Sequence, residues 1–241
     1  MTARKLILIR HGESTANVAA AAAEAAGEET IAVPARDADV PLSELGERQA
    51  GALRPRLEDE LARLGGDVVF RCSPYLRAID TARLALGDAT ADLAIDERLR
   101  DRELGVLDAL TARGVDARLP QEAARRRWLG KFYYRPPGGE AWTDVALRLR
   151  SFLRDLPVAP SGAAVLFTHD AVVSLFLYLL LGWSEQQLDE FLLTRTVANA
   201  SITTLEHDGT GWSIGVFADV EHLGEVGVPS TEHPGAARVT E

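Results

Sequence analysis

Three short aliphatic runs, each followed by a stretch of helical character, constrain the fold of this chain most strongly. The runs are residues 5–9, 67–70 and 163–167, and the helical stretches that follow them are residues 14–26, 74–86 and 171–181. Short continuous apolar runs are typical of strands that are buried on both faces. Because strands that alternate with helices form mostly parallel sheets, we predict a three-layer α/β/α fold with helices on both faces of the sheet.

The remaining chain adds further elements and two segments that are open to more than one interpretation. Two more helices are predicted at residues 43–64 and 140–156, and a strand pair at residues 201–206 and 212–217. The arginine-rich segment 106–140 is either a helical cap over a site or a plain packed subdomain. The alanine-rich segment 18–36 is either a helix with a lid or a solvated surface insertion. We expect one domain over residues 1–220 and an irregular tail over residues 221–241.

The composition is that of an ordinary globular protein, and it narrows the function classes. The formal net charge of −10 argues against nucleic-acid binding, because phosphate backbones are held mainly by excess lysine and arginine. The single cysteine, Cys72, excludes a disulfide within the chain and a multi-cysteine zinc site, so a reducing compartment fits. The apolar runs are too short for a signal peptide or a membrane span. We therefore expect a cytoplasmic protein without a membrane partner.

Charged and imidazole side chains follow all three predicted strands. Arg10 and His11 come after the first strand, Arg77 lies shortly after the second, and His169 follows the third. In open α/β sheets, ligands bind beyond the carboxyl ends of the strands. Each of these residues alone would more often be structural, but their joint placement predicts one crevice that holds two histidines and two arginines.

This set of side chains suits the transfer of a phosphoryl group to an imidazole. The transition state spreads negative charge over three oxygens, so catalysis depends mainly on positioning and on fixed positive charge. Arg10 and Arg77 provide planar forks that are always charged, and His169 adds a donor when it is protonated. His11 is the predicted nucleophile, with one ring nitrogen held by a backbone carbonyl near Gly12 and the other free to attack.

The same residues carry a resemblance to a known family. Residues 8–17 read LIRHGESTAN, which resembles the signature of the histidine phosphatase superfamily, in the branch that includes phosphoglycerate mutases and fructose-2,6-bisphosphatase. Further matches follow in the expected order at residues 39–43, 73–78, 137–140, 169 and 199–202. The resemblance spans residues 5–217 and therefore covers nearly the whole predicted domain.

The resemblance implies roles for particular residues. It makes His11 the phosphate acceptor, places Arg10, Arg77 and His169 around the phosphate, and adds Asn17 as a further contact. We group Ser14 with Asn17 as substrate-binding. The resemblance also implies a phosphoglycerate mutase-like fold for the predicted domain, with the helical cap as an insertion, and it implies no metal and no cofactor.

The proton donor is where the sequence departs from the family pattern. The family usually has a glutamate four residues before a glycine, and here Asp101 stands at that position before Gly105. Asp101 is our preferred donor and Glu103 is the competitor, because a general acid must reach the leaving oxygen and aspartate is one methylene shorter. Asp170 is a third candidate, although it could equally be the N-cap of the helix that follows. We otherwise assign Glu103 and Asp170 to substrate binding.

Hydrolysis is the reaction that we prefer. A phosphatase must admit water to its phosphohistidine, whereas a mutase must exclude water. Residues 131–140, just before the next predicted helix, are closer to the bisphosphatase form than to the proline-rich mutase form. A phosphoglycerate mutase-type phosphotransferase and a noncatalytic phosphate-binding protein are the alternatives. The expected partner is a small phosphorylated substrate, and a homodimer is one option for the oligomeric state.

Overall fold

A six-stranded sheet forms the centre of the computed structural model, which describes residues 3–157, 159 and 161–233. The strands are β1 (Lys5–Arg10), β2 (Val69–Cys72), β3 (Leu93–Ile95), β4 (Ala163–Thr168), β5 (Ile202–His207) and β6 (Trp212–Ile214). Their order is β3-β2-β4-β1-β5-β6. The first four strands in this order are parallel, β5 pairs antiparallel with β1, and β6 pairs antiparallel with β5. The prediction of a mostly parallel sheet is confirmed.

Helices cover both faces of the sheet. They are α1 (Thr15–Ala26), α2 (Glu44–Leu64), α3 (Leu76–Leu86), α4 (Ala112–Arg118), α5 (Pro120–Tyr133), α6 (Trp142–Asp155), α7 (Asp170–Leu180), α8 (Glu185–Leu193) and α9 (Glu221–Glu225). Because successive side chains of a strand point to opposite faces, Ile7 and Ile9 of β1 pack with α2 and α3. Leu6 and Leu8 pack with α6 and α7 on the other face. Burial on both faces explains why the strand reads as a continuous apolar run.

The structure departs from the sequence prediction mainly near the end of the chain. The predicted irregular tail begins instead with the short helix α9, in which His222 and Leu223 are buried. Strand β3 and helix α8 were not predicted, and β3 has only three residues, too few to show a periodic pattern. A five-residue helix such as α9 is hidden for the same reason. The rest of the predicted tail, residues 234–241, lies outside the described residues.

Within residues 3–157, 159 and 161–233, no helix combines the length and the apolar character that crossing a membrane requires.

The cap segment is helical, and the insertion before it packs against it. Helices α4 and α5 form the cap around a small apolar core, and α5 is broken at Gly130. After α1 ends, the insertion runs along the cap, where the backbone nitrogen of Ile31 donates to the carbonyl of Ala109 at 2.8 Å. The hydroxyl of Thr111 donates to the carbonyl of Glu28 at 2.7 Å. The insertion is therefore a helix followed by a segment fixed to the cap.

Candidate active site

The loop after β1 is built by close contact with the start of α2. A Cβ atom added to Gly12 would lie 2.5 Å from the carbonyl oxygen of Gly46, so a side chain at this position would force the two segments apart. The backbone nitrogen of Gly12 donates to Oγ1 of Thr81 on α3 at 3.0 Å. Glycine is thus required here by contact with a neighbouring backbone, and the loop holds His11 in a fixed position at the end of β1.

His11 is buried and presents one ring nitrogen to the crevice. Its Nδ1 lies 2.7 Å from the carbonyl of Gly12, an acceptor only, so we assign the ring proton to Nδ1. Nε2 then carries a lone pair and accepts from Nε of Arg77 at 3.3 Å. Burial lowers the pKa of His11 well below its usual value, and the charges of Arg77 and Arg10 lower it further. The imidazole is therefore neutral near pH 7, the form in which it can act as a nucleophile.

Arg10, the last residue of β1, lies beside His11 with one donor unused. Its two terminal nitrogens donate to backbone carbonyls, NH1 to Val197 and NH2 to His233, the latter at 2.8 Å. Its Nε is buried and has no hydrogen-bond partner in the part of the chain that the structure describes. Because buried donors are almost always paired in native proteins, this nitrogen is suited to an anion that enters the crevice.

His169 stands across the crevice from His11, with ring centroids 5.1 Å apart in an edge-on arrangement. Its Nε2 lies 2.8 Å from Oγ of Ser73, whose oxygen also accepts from the backbone nitrogen of Tyr75. We assign the Ser73 hydroxyl as the donor to Nε2, which leaves the ring proton on Nδ1. Burial and nearby arginines lower the pKa of His169 well below its usual value, so the ring donates to a ligand in its neutral form. Nδ1 is buried and forms no hydrogen bond with any described residue.

Arg77, near the start of α3, connects the crevice to two carboxylates. Its Nε donates to His11, and its NH2 lies 3.3 Å from Oδ2 of Asp101. Its NH1 donates to both the backbone carbonyl and Oδ1 of Asp37, at 2.7 and 2.9 Å. Burial raises the pKa of Asp37 although Arg77 acts in the opposite direction. The sequence does not reveal Asp37 as a site residue, because no spacing or motif relates an acidic residue just after the 18–36 insertion to α3.

The three candidate proton donors occupy different positions. Asp101 Oδ2 lies 3.3 Å from Arg77 and 3.4 Å from His169 Nδ1, at the crevice. Glu103 is turned to Tyr75, whose hydroxyl donates to it at 2.8 Å. Asp170 is the first residue of α7, where His169 holds the N-cap position, so the alternative interpretation of Asp170 as an N-cap is wrong. The structure therefore brings Asp101 to the predicted phosphate pocket and leaves Glu103 at its edge.

Ser14 and Asn17 form the capping box of α1. The Ser14 hydroxyl accepts from the backbone nitrogen of Asn17, and Oδ1 of Asn17 accepts from the backbone nitrogen of Ser14, both at 3.1 Å. Nδ2 of Asn199 also lies 3.4 Å from that oxygen. These contacts give both residues a structural role beside His11. Their role in substrate binding stays a prediction.

The tail contributes contacts that the sequence did not reveal. The carbonyl of Thr231 accepts from the backbone nitrogen of Asn199 at 3.0 Å, and the Thr231 hydroxyl accepts from Nε2 of Gln49 at 3.0 Å. His233 accepts from Arg10 through its carbonyl, and its ring lies 3.4 Å from Glu13. A segment with glycine, proline and scattered charge carries no periodicity, so only the folded chain places it against the site.

Comparison with known proteins identifies the family. Residues 6–220 match the model of the histidine phosphatase superfamily (branch 1), and the chain belongs to this family. A curated relative, a bifunctional protein of Mycobacterium tuberculosis, is 34% identical over 169 residues, which make up 70% of this chain and 44% of that protein. The chain thus spans less than half the length of this relative.

Two further comparisons extend over nearly the whole chain. A glucosyl-3-phosphoglycerate phosphatase of Mycolicibacterium vanbaalenii is 31% identical over 230 residues, covering 91% of this chain and 92% of the relative. The solved structure of a mycobacterial glucosyl-3-phosphoglycerate phosphatase in complex with VO3 has a TM-score of 0.66 at 27% identity, over 90% of this chain and 99% of that one. The predicted family and the predicted fold class are confirmed.

Proposed function

We propose that this protein is a phosphomonoesterase that hydrolyses small organic phosphates through a phosphohistidine on His11. The observation that carries the proposal is a pair of buried donors, Arg10 Nε and His169 Nδ1, that form no hydrogen bond with any described residue, although Asp101 lies 3.4 Å from His169 Nδ1. Both residues neighbour His11, whose neutral ring keeps its lone pair on Nε2. A phosphoryl group at that nitrogen would satisfy both donors and would also meet the guanidinium of Arg77.

The proposed reaction has two steps. In the first, His11 Nε2 forms a bond to phosphorus, the bond to the leaving oxygen breaks, and Asp101 in its protonated form delivers a proton to that oxygen. In the second, the Asp101 carboxylate takes a proton from water, the water oxygen forms a bond to phosphorus, and the bond from phosphorus to His11 Nε2 breaks, which releases inorganic phosphate and restores the neutral imidazole of His11. Arg10 and Arg77 stabilise the charge on the phosphoryl oxygens in both steps.

Several properties of the whole protein belong to the same proposal. We propose residues 1–220 as the catalytic domain, with the cap at about residues 106–140, no metal or cofactor, and a small phosphorylated metabolite as substrate. The net charge of −10 supports the absence of nucleic-acid partners, and the single cysteine supports a cytoplasmic location. A relative is named a glucosyl-3-phosphoglycerate phosphatase, so phosphorylated glycerates and their sugar conjugates come first among the substrates to test.

Phosphate release in excess EDTA tests the proposed reaction. We expect the purified protein to release inorganic phosphate from p-nitrophenyl phosphate and from at least one phosphorylated metabolite, with full activity in the chelator, because arginines provide the positive charge. With 3-phosphoglycerate, formation of 2-phosphoglycerate without free phosphate would instead identify a mutase. Phosphate binding without any release between about pH 4 and pH 8, the range in which carboxyl and imidazole groups titrate, would identify a noncatalytic binding protein.

Leaving-group dependence tests Asp101 as the proton donor. We expect Asp101→Asn to lower kcat about 100-fold on an alkyl phosphate, the lower end of the range for general acid catalysis. The loss should shrink on p-nitrophenyl phosphate, whose leaving group needs no proton. Glu103→Gln and Asp170→Asn are the matched comparisons, and they should show no such leaving-group dependence. If either of them shows it and Asp101→Asn does not, Asp101 is not the donor.

A further inference from the structure

The donors of Arg77 are divided between two edges of its guanidinium group. The inner edge, Nε and NH2, faces His11 Nε2 at 3.3 Å and Asp101 Oδ2 at 3.3 Å. The outer edge, NH1 and NH2, faces the two carboxylate oxygens of Asp37 at 2.9 and 3.4 Å. The backbone carbonyl of Asp37 also accepts from NH1 at 2.7 Å. Asp37 therefore holds the whole outer edge.

From this division we propose that Asp37 is a positioning residue for phosphoryl transfer. It holds the outer edge of Arg77 so that the inner edge faces the phosphoryl group on His11. The inference rests on the proposed function, because it assigns the inner edge to phosphoryl oxygens. An arginine side chain has several rotatable bonds, and a planar fork contributes fully only when its plane is fixed before the ligand arrives.

The position of Asp37, directly after the 18–36 insertion, explains how this residue comes to lie beside Arg77. Asp37 begins a short turn, Asp37–Asp39, after a segment that is fixed to the cap by the bridge between Thr30 and Leu110. Its side chain is 36% exposed, while that of Arg77 is 5% exposed, so the carboxylate lies at the boundary between solvent and the crevice. Because Asp37 occupies the outer edge, phosphate can bind the inner edge without displacing it.

Kinetics of Asp37 variants, with a control from the same turn, test the proposal. We expect Asp37→Ala to lower kcat on p-nitrophenyl phosphate by about 10- to 100-fold, since small misplacements of a catalytic group have effects on this scale. Asp37→Asn, which retains an acceptor, should lower kcat less than Asp37→Ala does.

The control is Asp39→Asn, because Asp39 pairs with Arg36 at 2.9 Å and 59% of its side chain is exposed. It should stay within about twofold of the wild type, as expected for an exposed surface pair. Thermal unfolding confirms that each variant is folded.

A double-mutant cycle with Arg77→Lys separates positioning through Arg77 from other roles. Lysine keeps the charge but has no fork to orient, so Asp37→Ala should change kcat by less than about threefold in that background. A loss that persists undiminished in the Arg77→Lys background would overturn the proposal. An increase in kcat/KM, or tighter inhibition by orthovanadate, in Asp37→Ala would also overturn it, because Asp37 would then be a competitor for the anion site.

Orthophosphate affinity keeps this inference separate from the proposed function. If the wild type released no phosphate from any substrate, the proposed function would fail, yet binding of orthophosphate would still test the positioning role. We expect the dissociation constant of orthophosphate to rise about tenfold in Asp37→Ala and to stay unchanged when the same substitution is made in the Arg77→Lys background. An active wild type whose turnover and phosphate affinity are both insensitive to Asp37→Ala would overturn the positioning role alone.

Discussion

His11→Ala is expected to leave no acid-labile phosphoprotein after brief incubation with a labelled substrate, and to lower kcat by at least about 10⁴-fold. The substitution removes the atom that is proposed to form the bond to phosphorus. The imidazole of His169 lies 5.1 Å away, but its Nε2 is engaged by Ser73 and its Nδ1 carries the ring proton in our assignment, so it is not expected to replace His11. Rapid acid-free quenching followed by gel analysis measures the label, and steady-state phosphate release measures kcat.

The control for this experiment is another histidine of the same chain. His207 lies at the end of β5, where its ring accepts from the backbone nitrogen of Gly209 and contacts Trp212 edge-on. His207→Ala should therefore keep both the label and the turnover. Label that persists in His11→Ala at the level of the wild type would exclude His11 as the acceptor, whatever the rate of hydrolysis.

Arg77→Ala is expected to lower kcat/KM by about 10² to 10³-fold, which corresponds to about 2.7 to 4 kcal/mol of barrier. The substitution removes a charged donor that faces Nε2 of His11, the proposed nucleophile, at 3.3 Å. It also leaves Asp37 and Asp101 without the cation between them, so their negative charge opposes the incoming phosphate. Both effects act in the same direction. We therefore expect the inhibition constant of orthophosphate to rise together with the loss of turnover.

Arg83 provides a matched control on the same helix. It pairs with Asp80 at 3.4 Å, and 65% of its side chain is exposed, so Arg83→Ala removes an equal charge from α3 without touching the crevice. Its kcat/KM should stay within about twofold of the wild type, because exposed ion pairs contribute little. An unchanged rate in Arg77→Ala, or an equal loss in both variants, would remove Arg77 from the pocket.

The sequence by itself determined the central strands of the sheet and the core of the predicted site. A buried strand such as β1 reads as a continuous apolar run because both of its faces are covered, so the run predicts the strand directly. The residues that follow such strands must meet at one edge of a parallel sheet. This topological rule brings His11, Arg77 and His169 together without any knowledge of side-chain contacts.

Only the tertiary structure decided which carboxylates lie at the predicted site. Asp101 and Glu103 are two residues apart, and the sequence left both open as donors. The fold turns Asp101 to Arg77 and His169, and it turns Glu103 to Tyr75. Asp37 contacts Arg77, which lies 40 positions further along the chain. Asp37 follows an insertion whose path depends on its packing against the cap.

The difference has one physical reason. Secondary structure and strand ends follow from local periodicity, which is written in neighbouring residues. Contacts such as those of Asp37 with Arg77 and of His233 with Arg10 depend on where two distant segments come to rest. That position results from the packing of the whole chain, and no short stretch of sequence contains it.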